Sequence, residues 1–325
     1  MQSFWEKLPK PFFALAPMAD VTDAAFRPLI AKYGKPDVLF TEFVSADGLF
    51  HTRERAKVKD EENPLMRDVK FSEIERPIVM QIFSGKPAMI AYGAKLAQEL
   101  GFDGVDINMG CPDRTIEKQS AGAALIKHPE LALELIRAAQ EASPLPVSVK
   151  TRVGYHYEIL DEWIPLLLSG EPSAIAIHLR TRKEMSSVPA DWGLMKRAVA
   201  LRDRAGSKTL MIGNGDVKDL EEARVKAAES GADGVMLGRA IFGNPWLFSG
   251  RPASGITPAE KLVALAELAH NFEKLSPPKS FATFKKHIKA FVSGWPEAAE
   301  LRTRLMDVTS AEALSAVVQA TGLDL

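Results

Sequence analysis

Short apolar or β-branched runs punctuate the chain at Phe12–Pro17, Val38–Phe43, Ile78–Phe83, Val105–Asn108, Val147–Thr151, Ala174–His178, Leu210–Gly213 and Val235–Leu237. Each has the length and composition of a strand buried on both faces. Between several of them the apolar positions recur at helical spacing, as in Met89–Leu100, Leu131–Ala142 and Leu220–Ser230. Alternation of this kind demands parallel strands joined by crossover helices. Eight such units in about 245 residues match a (β/α)8 TIM barrel, whereas a doubly wound open sheet usually stops at five to seven strands. The expected class is therefore α/β, with a TIM barrel as its architecture.

Two further patterns refine that picture. Gly101-Phe-Asp-Gly-Val-Asp-Ile and Gly231-Ala-Asp-Gly-Val-Met-Leu repeat G-x-D-G-V 130 residues apart, at the start of the fourth and eighth strands. A half-barrel duplication would leave such an echo, and so would chance similarity around a helix-to-strand glycine turn. After Trp246 the strand pattern ends, and from Thr257 onward cap and breaker signals take over: Thr257-Pro258 with Glu260, then Pro277-Pro278, Pro296 and Thr309-Ser310. The expected organisation is a barrel over residues 1–248, a linker at Ser249–Ile256 and a smaller all-helical domain over 257–325. The charged, aperiodic segment His51–Pro77 reads as a surface excursion between the second and third strands.

At 325 residues, with 46% hydrophobic and 26% charged residues, the chain is globular in composition, which rules out a disordered or fibrous reading. Its net charge of −1 provides no global field for a polyanion, so any such partner must be met by a local patch. One candidate exists. Between Lys279 and Arg304 six basic residues face two acidic ones, a local balance of +4, with His287 adding to it. Phe281, Phe284, Phe291 and Trp295 are interleaved there at near-helical spacing, which favours core positions over base stacking. The single cysteine excludes an intrachain disulfide and a CxxC metal site, and fits a reducing cytoplasm. No apolar run approaches the roughly 18 to 20 residues of a membrane span. Lys7 and Lys10 ahead of Phe12–Ala19 imitate a secretory signal, but Pro9, Pro11 and Pro17 interrupt it and the segment fits better as a first strand.

Barrel enzymes place their chemistry at the C-terminal ends of the strands. Polar and special residues gather at those ends here: Ala16-Pro17-Met18, Gln81, Asn108 to Pro112, Lys150-Thr151-Arg152, His178, Gly213 to Asp216, and Gly238-Arg239. The Gly213-Asn-Gly-Asp run lacks the third glycine of a dinucleotide fingerprint. Placed after the seventh strand beside Gly238-Arg239, it suits a phosphate-bearing cofactor, because small residues let backbone N–H groups approach the anion. Cys111, between Gly110 and Pro112 past a strand end, is poorly placed for packing and well placed for reaction. An ordinary thiol is mostly protonated at neutral pH and no base adjoins it in sequence, so proton donor is its simpler role. His178 could orient a phosphate, a cofactor ring or a substrate.

Taken together, Ala16-Pro-Met-Ala-Asp-Val-Thr-Asp23 with Phe26-Arg27, Asp106-Ile-Asn-Met-Gly-Cys-Pro112, Ala121-Gly-Ala-Ala-Leu125, Val149-Lys-Thr-Arg-Val-Gly154, Gly213-Asn-Gly-Asp216 and Asp233-Gly-Val-Met-Leu-Gly-Arg239 with Asn244-Pro-Trp246 form an ordered set. The set resembles the tRNA-dihydrouridine synthase family. Those proteins are FMN-containing barrels with a helical C-terminal domain that use NADPH to reduce the C5=C6 bond of particular uridines in tRNA. The resemblance implies that Ala16, Pro17 and Met18 line the flavin, that Gln81 hydrogen-bonds it and that Lys150 lies near its N1/O2 edge, with His178 also on the cofactor. It implies that Asn214, Gly215, Asp216, Gly238 and Arg239 hold the ribityl phosphate. Asn108 and Arg152 would contact the target uracil, and Cys111 would protonate its C5 while hydride arrives at C6. Lys285, Lys286, His287 and Lys289 resemble the family's basic helical RNA-contact motif. Leu179 departs from the small residue usual after the histidine, and Asp113–Ser120 follows one branch only. Two other readings compete. An FMN-dependent dihydroorotate or dihydropyrimidine dehydrogenase would act on free pyrimidine and needs no basic appendage, and a non-catalytic tRNA-binding protein would not need the intact flavin positions.

Overall fold

The computed structural model describes residues 3–322; the outermost residues of the two expected domains, 1–2 and 323–325, lie outside the described residues. Among the described residues nine strands form one parallel sheet: β1 (Phe12–Leu15), β2 (Leu39–Phe40), β3 (Val44–Ser45), β4 (Ile78–Phe83), β5 (Gly104–Met109), β6 (Val147–Arg152), β7 (Ala174–His178), β8 (Leu210–Asn214) and β9 (Gly234–Leu237). Neighbours run β1-β9-β8-β7-β6-β5-β4-β2, with β3 also on β4. Ala14 bridges Val38 in parallel, and the Leu15 N–H donates to the Val38 carbonyl at 3.1 Å, which returns the sheet to its first strand. The eightfold parallel barrel is as the strand pattern predicts.

The second barrel strand departs from expectation. Val38–Phe43 reads as continuous, yet it breaks into β2 and β3. Phe40 pairs with Val79 and Val44 with Ile82, so Thr41, Glu42 and Phe43 stand opposite only Met80 and Gln81. This is a β-bulge, and it re-aims the chain at the barrel rim. Thr41 Oγ1 replaces the lost ladder bond by accepting the Gln81 N–H at 3.0 Å.

The barrel interior changes character along the strands. Its lower part is apolar, with Trp5, Phe12, Ala14, Val38, Phe40, Val79, Ala174, Ala176, Ile212 and Met236 packed together. Two residues further on, the same alternation turns polar: Gln81 pairs in register with Asp106, Asn108 with Lys150, Arg152 with His178, and His178 with Asn214. Period-two geometry therefore delivers the polar set to one end.

The G-x-D-G-V echo has a structural counterpart. The second Oδ of Asp103 accepts the Ile78 N–H at 2.8 Å and its first pairs with Arg76; Asp233 Oδ2 accepts the Met211 N–H at 2.8 Å and pairs with Arg202. Both aspartates thus satisfy backbone at the start of a neighbouring strand, and β5 and β9 face each other across the ring.

Helices of the predicted pattern occupy Pro87–Glu99, Pro129–Ala142 and Leu220–Ser230. Four more follow the barrel among the described residues, at Pro258–Glu273, Phe281–Phe291, Ala298–Met306 and Ala311–Gln319. Thr257 and Glu260 form the predicted capping box. No helix among the described residues is long and apolar enough to cross a membrane. The segment His51–Pro77 is more than a surface excursion. It contains the helix Pro64–Asp68, buries Met66, Val69 and Glu75, and ties to the C-terminal helices through Arg67 Nη1 on the Pro277 carbonyl at 3.1 Å. Arg27 and Glu75, each 0% exposed, pair at 2.7 Å beneath it. Aperiodic sequence hides such packing, because its contacts are made by single residues instead of a repeating face.

Candidate active site at the barrel mouth

A cavity of about 350 Å³ opens at the C-terminal ends of the strands. Ala16, Pro17, Met18 and Met236 form its apolar wall, and Lys150, Arg152, His178, Arg180, Asn214, Asp216 and Arg239 its polar one, with Gly215 and Gly238 between. Most of the sequence-predicted cofactor positions therefore converge. Arg180, Met185, Ser186, Val217 and Met236 also line it; of these Arg180 carries a signal in the sequence, being two residues beyond His178 past a strand end.

Each polar group has a defined state. The half-buried Lys150 points its Nζ at Asn214 Oδ1, 3.3 Å away, while Asn214 Nδ2 donates to the Met236 carbonyl at 2.7 Å. Burial, and then the neighbouring Arg152, push the Lys150 ammonium down to about 8. Burial and the surrounding cations Lys150, Arg152 and Arg180 push His178 down to about 2, so its ring is neutral. Arg180 Nη1 lies 3.1 Å from His178 Nε2. A guanidinium only donates, so Nε2 accepts and the ring proton sits on Nδ1. Asp216 bridges Arg180 and Arg239, and these contacts, the Arg180 hydrogen bond foremost, hold its carboxyl down at about 2. Gly215, at φ +137°, could not carry a side chain: a Cβ there would meet Ala190 Cβ at 2.7 Å.

Cys111 stands next to this cavity, not on its wall. It is half-buried and packs with Phe43, Phe83, Ile116 and Ala121. Burial pushes its thiol above the ordinary value. Arg152 joins the two regions, with Nε donating to the Gly110 carbonyl at 2.8 Å and Nη1 to the Thr181 carbonyl at 3.1 Å. Gln81 and Asn108 lie beneath, 0% and 5% exposed. Asp106, buried with them, is pushed up to about 6 by burial and so remains ionised at pH 7.

The basic stretch Lys279–Arg304 needs correction at two positions. Lys285, Lys286 and Lys289 line a shallow depression of about 420 Å³ with Asp20, Ala282, Thr283 and Met306. His287 does not join them. It is 1% exposed, wedged between the rings of Phe26 and Phe284 at 5.0 and 5.6 Å, and burial pushes it down to about 3. Residues 284, 287, 288 and 291 share the buried helix face, so the histidine goes to the core with the phenylalanines. Lys279 is also withdrawn from the patch: its Nζ lies 3.2 Å from Glu42, 3.5 Å from Asp68, 3.7 Å from Asp20 and 3.8 Å from Asp23. Phe284 and Phe291 are core, as their spacing predicts.

Residues 14–323 match the protein family described as Dihydrouridine synthase (Dus). The chain belongs to the dihydrouridine synthase family. It is 40% identical over 314 residues to a probable tRNA-dihydrouridine synthase of Staphylococcus aureus (strain COL), covering 95% of this chain and 92% of the relative. It is 37% identical over 321 residues to probable tRNA-dihydrouridine synthase 2 of Bacillus subtilis (strain 168), covering 98% and 96%. As a dihydrouridine synthase it is an oxidoreductase. Among solved structures, a histamine dehydrogenase from Rhizobium sp. 4-9 shares the fold at a TM-score of 0.53 and 14% identity, over 80% of this chain and 48% of that one.

Proposed function

We propose that this dihydrouridine synthase reduces the C5=C6 bond of particular uridines in tRNA, with FMN as bound cofactor, NADPH as reductant and Cys111 as proton donor, in a reducing cytoplasm. The observation that carries the reading is a half-buried thiol whose loop is tethered through Arg152 to a cavity with one apolar and one cationic wall. tRNA as the substrate rests on the names of the relatives and on the helix Phe281–Phe291, which brings the exposed Lys289 and the half-buried Lys285 and Lys286 to one surface depression.

The cavity fits the cofactor. A Cβ on Gly238 would meet Ala16 Cβ at 3.5 Å and Met18 Sδ at 3.6 Å, so glycine there keeps open a slot beside an apolar wall of the kind a ring system occupies. The donor set opposite, Lys150, Arg180 and Arg239 with Asn214, is cationic enough for a phosphate and an electron-rich ring edge. When bound and reduced by NADPH, FMN supplies the hydride for uracil C6. Lys150 places an ammonium, still mostly charged at pH 7, where negative charge on the cofactor would be stabilised. Neutral His178 would offer its Nδ1 proton to the cofactor and add no charge. Cys111 keeps its proton until C5 takes it, because burial disfavours the thiolate. Arg152 holds the thiol's loop and leaves its outer nitrogen for a uracil carbonyl. Gln81 supports the reading less directly, since both ends of its side chain bond within the protein.

The test uses tRNA lacking dihydrouridine. Cys111→Ala should keep bound flavin and its reduction by NADPH but lower uridine reduction by about 10² or more, the scale of losing a positioned acid. Free uracil and orotate should not be turned over. Full turnover by the variant removes the thiol from the reaction, and reduction of free base makes this a free-pyrimidine dehydrogenase.

A further inference from the structure

A chain of buried side chains runs under the barrel mouth and ends at the backbone of Cys111. Asp106 accepts from Ser148 Oγ and from Gln81 Nε2, each at 2.6 Å. Gln81 Oε1 accepts from Asn108 Nδ2 at 3.0 Å. Asn108 Oδ1 then accepts the N–H groups of Gly110 at 3.1 Å and Cys111 at 2.9 Å. All four side chains are at most 5% exposed, so no bulk water can substitute for a lost partner.

The order of donors and acceptors along this chain has one sense only. An ionised carboxylate can only accept, so the nitrogen of Gln81 must face Asp106 and its oxygen must face Asn108. That oxygen obliges Asn108 to present its nitrogen, which leaves the Asn108 oxygen to receive the two backbone N–H groups. Reversing any one amide would set donor against donor or acceptor against acceptor in a dry site, which is costly. We propose that Asp106 is a positioning residue, fixing through Gln81 and Asn108 the direction in which two amides face and so pinning the loop that presents the Cys111 thiol.

Three other contacts hold the same loop, Arg152 Nε on the Gly110 carbonyl, the Ala123 N–H on the Cys111 carbonyl at 2.9 Å and Arg182 Nη2 on the Pro112 carbonyl at 3.3 Å. They bind its carbonyls and leave its N–H groups to Asn108 alone. Loss of the amide chain should therefore loosen the loop without unfolding it. The functional meaning of this inference rests on Cys111 as the proton donor, but its test does not.

Because the chain has one cysteine, alkylation by iodoacetamide reports Cys111 alone. The full-length holoenzyme is compared with Gln81→Met, which keeps length and volume but carries no amide, and with Asn108→Ala, which removes the final acceptor. Both should alkylate about fivefold faster than the parent, the scale of one backbone hydrogen bond released, and both should show a lower thiol pKa in the pH profile of the rate. The double variant Asp106→Asn, Gln81→Glu exchanges carboxylate and amide at constant charge. Asn at 106 donates to Glu at 81, which accepts from Asn108, so this variant should return to within twofold of the parent rate. Thermal unfolding monitors the fold and visible absorbance the flavin content.

Wild-type alkylation by Gln81→Met overturns the proposal, as does acceleration by Asn108→Ala alone, because the chain would then stop at Asn108. A folded exchange variant that remains fast, or rates that follow flavin content instead of the substitution, also overturn it. An exchange variant that does not fold leaves Gln81→Met to decide. Retained turnover by Cys111→Ala would remove the proton-donor reading while these rates still judged the positioning.

Discussion

Burial drives Cys111 and Lys150 toward their neutral forms by opposite routes. The thiol is raised, so it keeps its proton, whereas the ammonium falls to about 8 and approaches the point of losing one. Uridine reduction should therefore decline as pH climbs through about 8, because the cation at position 150 disappears while the thiol is still protonated. Lys150→Met should be slower at pH 7 and should lack that decline between pH 7 and 9; a pH profile of kcat/KM for both proteins checks this. An unchanged alkaline limb in the variant would assign the titration to another group. Strand-end position made these two residues legible in sequence, since Lys150 and Cys111 follow directly from where β6 and β5 stop. Gln81 and Asn108 were found by the same rule, but not their hydrogen-bond partners, because the register that brings Asp106 beside Gln81 joins residues 25 apart in the chain. No local pattern contains that pairing.

The elements themselves were largely readable, and the exceptions share a cause. The eight runs and their crossover helices follow from periodicity, whereas the break between β2 and β3 depends on Thr41 reaching the backbone of Gln81, a contact made across strands. In the helix Phe281–Phe291 the signal was present, since positions 284, 287, 288 and 291 carry the helical period, but counting basic residues places His287 with the lysines instead of the phenylalanines. Its burial has a thermodynamic consequence. The folded-state value lies near 3, below the unfolded value of about 6.5. The neutral imidazole therefore contributes stability that is complete above about pH 6.5 and is lost as pH falls toward 3, at up to about 1.4 kcal/mol per pH unit. His287→Phe should weaken the loss of urea resistance between pH 6.5 and 4; a slope equal to the parent's would place the acid sensitivity elsewhere. The segment His51–Pro77 makes a second claim at this scale. Glu75→Gln leaves the Arg27 guanidinium buried without its carboxylate, so urea denaturation should register about 3–5 kcal/mol lost. A loss under about 1 kcal/mol would mean that the carbonyls of Thr22 and Lys70, which also receive Arg27, suffice.

Across the whole molecule the near-zero net charge conceals a division of labour among lysines. Lys279 reaches down between barrel and C-terminal helices to four carboxylates, Asp20, Asp23, Glu42 and Asp68, and spends its charge inside the protein. Lys289 stands exposed ten residues later on the same stretch, on the rim of the depression it forms with Lys285 and Lys286. If tRNA phosphates meet this face, the two lysines must behave differently toward salt. A cation that neutralises one phosphate releases about one counterion, so Lys289→Ala should weaken tRNA binding and reduce the slope of log K against log salt by roughly one. Lys279→Ala should leave that slope alone and instead lower stability, because it strands Glu42 and Asp23 next to one another, both already raised by burial. Filter binding of tRNA from 50 to 200 mM salt, paired with thermal melts of the free proteins, separates the two. A slope unaltered in Lys289→Ala returns that lysine to solvent and moves the RNA face elsewhere, while a slope reduced in a stable Lys279→Ala would mean that the carboxylates release Lys279 when tRNA arrives.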